Sequence, residues 1–557
     1  MAFSLPANID FEAEQAAADA RPNIRLFTVG TAAGSLAAPG QRAPQRDLAW
    51  FNQGWTKASA LAVGGCNPRL DARCMTRVDR GRVINCSGVS NQLHHCAEFG
   101  YFSAVAWFFG KRLYDAHNGT VPIGLISANW GGTALESWAT ADAFRSCGGY
   151  KGCRGCRCAT PAGGGHGNGA LYNSIIAPYA FGPMALSGFV WYQGEANTAT
   201  LQCAQAYACL FPAMIRGWRG AFNDSDAFFG FVQLSTFGCT PQAGWDLPRA
   251  VPQLRDAQMA AASLHNVGWV TNADWGAGCN VHPPRKEAVG VRLANAALDL
   301  IYDYTDTDTA AYAQPRGGAL SALQSSSSSS SSSSRRNRTH GGSTTWRSPR
   351  FKRILSVTAS SSSSSASFGN SAGDDTTAAA ATVSVTVELQ DAAPLTSVYP
   401  LNYGGLNLNR STPPEYPSGV SGNCTQLNLV LPGVCAWAAV QFTPTTRPHA
   451  AAVWVNATAA PGLGPDHSTV VLTAAMPTGM TLSGGTAVTA FKPRAAGAAA
   501  GGAGAAVGGA GDARGAAVEV TVTGTSYGYG PVPMMNLYTV GTNLPVLPWN
   551  TSSEVFG

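Results

Sequence analysis

Long apolar runs are missing from this sequence of 557 residues. No stretch of about eighteen apolar residues occurs, which argues against a membrane-spanning helix. The opening residues, Met1 to Asp10, also lack the charged and apolar segments of a secretory signal. Two interpretations follow: the protein is not secreted, or its true start lies upstream of Met1.

A net positive charge is confined to one segment. The formal net charge is +5, but residues 310–373 contain eight basic residues and no acidic one. The eight are Arg316, Arg335, Arg336, Arg338, Arg347, Arg350, Lys352 and Arg353. The rest of the chain therefore carries a formal charge of −3, and nothing in its electrostatics supports a nucleic-acid partner.

Cysteine, by contrast, is abundant. The fourteen cysteines, an even number, and eight Asn-X-Ser/Thr sequons favour disulfide bonds and an oxidising compartment. We therefore predict a secreted, lysosomal or vacuolar glycoprotein. Cys153, Cys156 and Cys158 are alternatively three ligands for zinc, but no second pair of Cys or His lies beside them at the spacing of a zinc finger. We favour disulfides and predict no metal or organic cofactor.

Apolar, strand-like runs alternate with segments of helical periodicity up to residue 308. The predicted strands are residues 23–29, 121–127, 189–192, 228–234 and 267–272. The predicted helices include residues 102–113, 204–218, 251–264 and 289–298. This alternation indicates an α/β domain over residues 1–308, with a doubly wound and mostly parallel sheet.

Two regions of different composition follow. Residues 309–375 contain serine homopolymers and most of the basic residues, and we predict a disordered insert. Short strand-like runs with turn formers between them return in residues 376–557. These runs are residues 383–389, 437–442, 452–455, 469–473 and 518–522. They predict a β-rich C-terminal domain, a sandwich, with an Ala/Gly-rich loop at residues 495–517.

A polar cluster follows the apolar run Gly188 to Tyr192. Gln193, Glu195 and Asn197 are residues that a core would exclude. Ligands bind beyond the carboxyl ends of the strands in open α/β sheets, so we predict a binding site here. The alternative is an ordinary polar turn.

Two other segments are placed to reach the same edge. Gly131 and Gly132 lie between strand 121–127 and a helix predicted from Ala134, and such a turn directs N–H groups at a negative charge. His282 precedes the helix 289–298, with prolines after it. A lone loop histidine is more often a surface residue, but its position after the last α/β strand directs it over the sheet.

Several blocks of sequence occur in an order that is typical of one family. They include Val121-Pro-Ile-Gly-Leu-Ile126, Trp130-Gly-Gly-Thr133, Trp191-Tyr-Gln-Gly-Glu195 with Asn197, and His282-Pro283 with Lys286. Together they resemble the sialate O-acetylesterase family of the SGNH hydrolases, over most of the chain outside the insert. The resemblance implies an SGNH-hydrolase (flavodoxin-like) parallel sheet with helices on both faces. It also implies an O-acetylated carbohydrate as substrate and a serine nucleophile.

The resemblance implies a role for each candidate residue. His282 is the general base that activates the serine, because a hydroxyl is a poor nucleophile until a base takes its proton. The Gly131-Gly132 turn supplies backbone N–H groups, with Gln193 or Asn197, for the tetrahedral oxyanion. Glu195 is implied to hold neighbouring hydroxyls or donors in position.

The sequence departs from the family at two points. The family's Gly-Gln-Ser-Asn-Met turn, which carries the nucleophilic serine, does not occur in this sequence. Met1 to Pro6 resembles the family's segment that begins at the methionine of that turn. We therefore infer that the sequence starts two residues beyond the nucleophile. Such a chain lacks an inner strand and is predicted to expose strand edges and to be inactive as it stands. The acid usually found three residues before the histidine is replaced by Cys279. Asp274 is the nearest upstream candidate, and a Ser-His dyad or a backbone carbonyl that orients His282 are alternatives.

Two other functions fit the same residues. A catalytically inactive carbohydrate-binding protein would retain the cleft without the serine. A lipase- or protease-like serine hydrolase would use the same base on a different substrate.

Overall fold

The computed structural model divides the chain into two compact units, Met1–Arg347 and Ser348–Gly557. It describes residues 5, 8, 11–29, 43–49, 51–64, 76–79, 82–85, 102–148, 168–182, 184–236, 245–276, 281–283, 285–302, 348–360, 381–390, 395–397, 438–445, 452–462, 469–477, 480–483, 518–529, 537–539 and 545–551. The candidate site lies in the first unit.

The strands of the first unit form two separate three-stranded sheets, apart from one short hairpin. They are β1 (Ile24–Val29), β2 (Phe51–Lys57), β3 (Thr76–Asp79), β4 (Arg82–Asn85), β5 (Ile123–Ser127), β6 (Gly188–Trp191), β7 (Phe228–Gln233) and β8 (Val267–Thr271). In the first sheet, β1 is parallel to β5 and antiparallel to β2. In the second, β6, β7 and β8 are parallel with β7 at the centre. The predicted strands are therefore confirmed. The described residues form two separate sheets, however, and not the single continuous sheet that was predicted.

In the described part of this unit, eight helices accompany these strands, and two of them cover opposite faces of the second sheet. The eight are α1 (Phe11–Asp19), α2 (Ala60–Gly64), α3 (Ala104–Ala116), α4 (Ala141–Ser146), α5 (Ala177–Phe181), α6 (Leu201–Ala221), α7 (Leu247–Gln258) and α8 (Glu287–Ile301). Phe211 of α6 packs on Phe229 and Phe231 of β7, with ring centroids 5.9 and 5.3 Å apart. Leu293 of α8 lies against Gly230, between them. Since successive residues of a strand point to opposite faces, α6 and α8 lie on opposite sides of the sheet.

The helix predicted directly after the Gly131-Gly132 turn begins differently. A single 3₁₀ turn, Leu135–Ser137, comes first, and regular helix starts only at α4. Thr140 caps α4, because its hydroxyl accepts a hydrogen bond from the Ala143 N–H at 3.2 Å. The segment between β5 and α4 is thus mostly turn.

A disulfide between Cys147 and Cys209 joins the end of α4 to α6 across 62 residues of sequence. It confirms a disulfide in this chain. The cluster of Cys153, Cys156 and Cys158 lies outside the described residues. Among the helices that the structure describes, none is both long enough and apolar enough to cross a bilayer.

The second unit is built of β-strands. They are β9 (Arg350–Ser360), β10 (Thr382–Gln390), β11 (Leu395–Ser397), β12 (Ala438–Pro444), β13 (Val453–Pro461), β14 (Thr469–Ala475), β15 (Met480–Leu482), β16 (Val518–Tyr527), β17 (Leu537–Thr539) and β18 (Trp549–Asn550). Eight of them form one sheet in the order β15-β16-β12-β13-β14-β10-β9 with β18 on β16, and β11 pairs with β17. The expected strands are confirmed, but they join in one large sheet and one small pair.

Part of the predicted disordered insert is a strand. β9 pairs antiparallel with β10, and its Phe351, Ile354 and Val357 pack against the buried core of this unit. These apolar residues lie among the basic residues of the insert. The average composition therefore gave no sign of a segment with apolar surface to bury. The second unit therefore begins inside the region that composition assigned to the insert.

Candidate active site

Two turns meet at the carboxyl ends of β5 and β6. After β5 the chain passes through Gly132, which has a φ of +72°, in the left-handed region that favours glycine. After β6 it passes through Gly194, with a φ of +154°. A Cβ on Gly194 would lie 2.4 Å from the Leu254 side chain of α7, so this second turn has no room for a larger residue. Gly131 and Gly132 are exposed to solvent.

Asn197 joins the two turns. It lies in the 3₁₀ turn Glu195–Thr198, with 1% of its surface exposed. Its Oδ1 accepts hydrogen bonds from the Leu135 N–H at 2.9 Å and from Gln193 Nε2 at 2.8 Å. Its Nδ2 donates to Glu136 Oε2 at 2.9 Å. The predicted polar cluster is therefore bound to the turn that carries the glycine pair.

Gln193 is held at both ends of its amide. Its Nε2 donates to the Thr133 carbonyl at 3.0 Å as well as to Asn197, so both amide hydrogens are engaged. Its Oε1 accepts from the Tyr207 hydroxyl at 3.0 Å, and that hydroxyl accepts from Trp191 Nε1 at 3.0 Å. This chain of hydrogen bonds fixes the side chain of Gln193 in one orientation.

Glu136 is a site residue that reasoning from the sequence missed. It is 5% exposed, and its removal from water is the largest cause of a pKa raised above the ordinary value, which the hydrogen bond from Asn197 partly offsets. Tyr207 was expected only as part of the apolar face of a helix. Burial raises its pKa as well, so its hydroxyl stays protonated and can donate to Gln193. No periodicity distinguishes these two residues from their apolar neighbours.

Glu195 lies half-buried beside the end of β6. Burial first, and the charge of Glu195 second, raise the pKa of Tyr192 above its ordinary value. Tyr192 is therefore a neutral phenol at the base of the site.

The start of α8, which follows His282 in the chain, lies against the same strand end. His282 is half-buried, and four residues later the Lys286 Nζ lies 4.8 Å from the centroid of the Tyr192 ring. The Lys286 N–H donates to Asn8 Oδ1 at 2.8 Å. These contacts hold the start of α8 next to the residue that precedes Gln193.

Asp274 has a different neighbour. Its two carboxylate oxygens accept hydrogen bonds from Arg292 Nη1 at 2.9 Å and Nη2 at 2.7 Å. Arg292 Nη1 also donates to the Thr271 carbonyl at 2.9 Å. The structure thus pairs Asp274 with a buried arginine of α8 at the end of β8. Among the described residues, no group of three His, Cys, Asp or Glu side chains is arranged to hold a metal ion.

Comparison with known proteins agrees with the sequence blocks. Residues 98–299 match the model of a family described as carbohydrate esterase, sialic acid-specific acetylesterase, and every candidate site residue lies in that range. The sialate O-acetylesterase of Homo sapiens is 33% identical over 218 residues, 37% of this chain and 40% of that protein. The enzyme of the same name from Rattus norvegicus is 31% identical over 243 residues, 37% of this chain and 44% of that protein. The chain thus matches less than half the length of these relatives.

A solved structure agrees at the level of the fold. The crystal structure of a carbohydrate acetylesterase from Xanthomonas citri superposes with a TM-score of 0.52 at 20% identity. The superposition covers 99% of this chain and 78% of that chain.

Proposed function

We propose that the chain is a member of the sialate O-acetylesterase family, which it resembles, and that it is a hydrolase that removes O-acetyl groups from sugars. The observation that carries the proposal is the junction of the two turns through Gln193, Thr133 and Asn197, with Lys286, four residues after His282, beside it. We propose that the first unit has the SGNH-hydrolase arrangement, with this junction at the carboxyl edge of its parallel strands.

The proposed reaction is acyl transfer through a serine ester. His282 takes the proton of a serine hydroxyl as the oxygen attacks the acetyl carbonyl, and then returns the proton to the departing sugar oxygen. Water, activated by the same histidine, hydrolyses the acetyl-enzyme to acetate.

Charge that develops on the carbonyl oxygen needs donors that are already in place. We propose the backbone N–H groups of Gly131 and Gly132, together with Asn197 Nδ2. Of the two candidate side chains, Gln193 has both amide hydrogens engaged, whereas Asn197 donates one to Glu136 and retains the other. Gln193 is then a positioning residue that holds the glycine turn, and Glu195 sets the electrostatics around Tyr192.

The role of Asp274 as orienting acid stays a prediction. Its carboxylate hydrogen-bonds to Arg292 in this structure, which supports the alternative of a Ser-His dyad. A secretory or lysosomal compartment is likewise a proposal, supported by the disulfide between Cys147 and Cys209.

The proposed activity is tested by acetate release from O-acetyl sialic acid, acetylated xylan and an aryl acetate, with a long-chain ester as the contrasting substrate. The chain is assayed alone and with a strand ending in Gly-Gln-Ser-Asn joined before Met1. We expect turnover of the acetylated sugars by the extended protein, and its loss in His282→Ala and when the added serine is replaced by alanine. Turnover confined to the long-chain ester would refute the substrate class. Binding of acetylated sugar without turnover in the extended protein would favour the inactive carbohydrate-binding alternative.

A further inference from the structure

Eight Asn-X-Ser/Thr sequons occur in the chain, and burial in the fold separates those that can carry a glycan. The structure describes the asparagine side chain in four of them, Asn118, Asn223, Asn456 and Asn550. The first three are exposed, whereas the side-chain nitrogen of Asn550 is buried. An N-linked glycan is bonded to that nitrogen and is too bulky and polar to be buried with it. The folded chain therefore leaves three of these four asparagines open to modification.

Asn118 and Asn223 occupy the same kind of position in the fold. Each lies two residues after the last residue of a helix, α3 for Asn118 and α6 for Asn223. Their φ values are +53° and +52°, in the left-handed region that asparagine tolerates better than most residues and that commonly ends a helix. The alternative to glycan attachment is therefore that these two asparagines only terminate their helices.

Asn266, directly before β8, distinguishes the two interpretations. Its φ of +49° is nearly the same, but its Nδ2 donates to the Asp226 carbonyl at 2.8 Å, and neither Ser nor Thr stands two residues after it. The side-chain amides of Asn118 and Asn223 make no hydrogen bond within the described part of the chain, and each stands two residues before a Thr or Ser. A residue that only ends a helix needs neither an accessible amide nor a hydroxyl at that spacing.

Both sequons lie at the amino edge of the strands, opposite to the candidate site. Asn118 precedes β5, and the Gly131-Gly132 turn follows the same strand. Asn223 precedes β7, which is parallel to β6, and Gln193 follows β6. Strands of five and six residues span about 16–20 Å, so a glycan at either asparagine is far from the site residues. Glycans at these positions leave the access of a substrate unobstructed.

Exposed apolar side chains lie beside both sequons. Val121, directly after the first sequon, is 44% exposed. Tyr302 is 41% exposed, and its ring centroid lies 5.3 Å from that of His117, directly before the first sequon. Phe222, directly before the second sequon, is half-buried, and Val121, Phe222 and Tyr302 line one cavity of about 540 Å³ that β5 and β6 border. The two sequons therefore flank one apolar surface of the kind that promotes association when it is left uncovered.

We propose that Asn118 and Asn223 each carry an N-linked glycan, and that the two glycans shield the apolar surface at the amino edge while the candidate site at the opposite edge stays open. An N-linked glycan is bulky and solubilising, so it keeps other molecules away from the apolar side chains beneath it. Asn456, exposed in β13, belongs to the second unit and is not a member of this pair. The inference rests on the proposed secretory compartment and is independent of the proposed esterase activity.

The test maps glycans on the full chain after an added signal peptide has directed it into the secretory pathway of a eukaryotic host. Folded monomer is isolated by size exclusion, and a peptide N-glycosidase removes the glycans in heavy-oxygen water, which labels each formerly modified asparagine for peptide mass spectrometry. We expect nearly complete occupancy at Asn118 and Asn223 and none at Asn550.

Because the host supplies the compartment, an unmodified sequon counts against the site itself. Absence of a glycan at Asn118 or Asn223, or an occupied Asn550 in the folded monomer, would overturn the assignment. If little monomer folds, the occupancy of Asn118 and Asn223 in the retained chain still decides, because the glycan is transferred during synthesis.

Variants at the third sequon position separate the glycan from the helix end. Thr120→Ala with Ser225→Ala removes both sequons but retains both asparagines, and the matched control, Thr120→Ser with Ser225→Thr, retains the sequons. We expect the alanine variant to lose both glycans, to bind more of a hydrophobic dye and to self-associate at a lower concentration than the control. Equal dye binding by the two variants would overturn the shielding role.

Enzymatic removal of the glycans from the folded original chain gives the same comparison without a change of sequence. It preserves the hydrogen bond that Thr120 Oγ1 donates to the His117 carbonyl at 2.7 Å, which the alanine variant loses. A rise in dye binding after this treatment supports the shielding role, and no rise contradicts it. Acetate release is measured separately, so a failed esterase assay leaves the glycan map unaffected.

Discussion

Replacement of Asp274 by asparagine is expected to destabilise the first unit strongly. The side chains of Arg292 and Asp274 are 2% and 1% exposed, and two hydrogen bonds of 2.9 and 2.7 Å join them. Asp274→Asn removes the carboxylate that pairs with this buried guanidinium, and the loss of one partner of a buried pair costs about 3–5 kcal/mol. With a urea m-value of about 3 kcal/mol/M, the unfolding midpoint falls by about 1–1.7 M.

Urea unfolding followed by tryptophan fluorescence measures this loss, and hydrogen exchange of α8 assigns it to the first unit. The matched control is Asp142→Asn, because Asp142 pairs with Arg145 on the surface, where the side chains are 81% and 71% exposed. That control is expected to change the unfolding free energy by less than about 0.5 kcal/mol. The double variant Asp274→Leu with Arg292→Met is expected to recover much of the loss, since it removes both buried charges. Equal stability of Asp274→Asn and Asp142→Asn would refute the reasoning. A loss of turnover without a loss of stability in an active form would instead assign Asp274 to the orientation of His282.

Three further predictions concern the turns and the disulfide. Because burial raises the pKa of Glu136, the unfolding free energy should fall as pH rises from about 4.5 through that higher pKa. In urea titrations, Glu136→Gln should flatten this pH dependence and be more stable than the original protein at neutral pH. An unchanged pH profile in the variant would contradict this prediction. Gly194→Ala should lower the unfolding free energy by about 1–3 kcal/mol, because the φ of Gly194 is +154° and a Cβ there has no room. The control is Gly220→Ala, whose Cβ would meet no atom within 4 Å and which should be neutral or stabilising in the same titrations. Equal effects of the two variants would contradict the strain at Gly194. Replacement of both Cys147 and Cys209 by serine should lower the unfolding free energy by about 4 kcal/mol, because the disulfide closes a loop of 62 residues. The variant should also lose the share of the reductant effect on unfolding that this disulfide causes. A variant as stable as the oxidised protein would contradict this prediction.

The structure left some predictions from the sequence intact and changed others. The apolar runs that became β1, β5, β7 and β8 were predicted within two residues at each end, because burial on both faces selects continuous β-branched and aromatic residues. The segment after the glycine pair was predicted as a helix, but its first turn is 3₁₀. The strand β9 was hidden by the serine-rich and basic composition around it. Composition describes a segment as a whole, whereas burial depends on which of its residues meet a neighbour.

The candidate site shows the same division. Gln193, Asn197 and the Gly131-Gly132 turn were singled out from the sequence because polar residues and glycines stood directly after apolar strands. The hydrogen bonds from Gln193 to Thr133, from Asn197 to Glu136 and from Tyr207 to Gln193 join residues 60, 61 and 14 positions apart. No local pattern encodes such contacts.

The sequence by itself determined where strands and helices form, where glycine turns interrupt them and which polar residues follow, because these depend on periodicity and on the conformational range of single residues. Tertiary structure alone decided that Arg292 engages both oxygens of Asp274, that Gln193 donates to the Thr133 carbonyl and to Asn197, and that β5 and β6 border a cavity instead of each other. The physical reason is that partners distant in sequence compete for the same donors, acceptors and strand edges, and only the packed chain settles which of them meet.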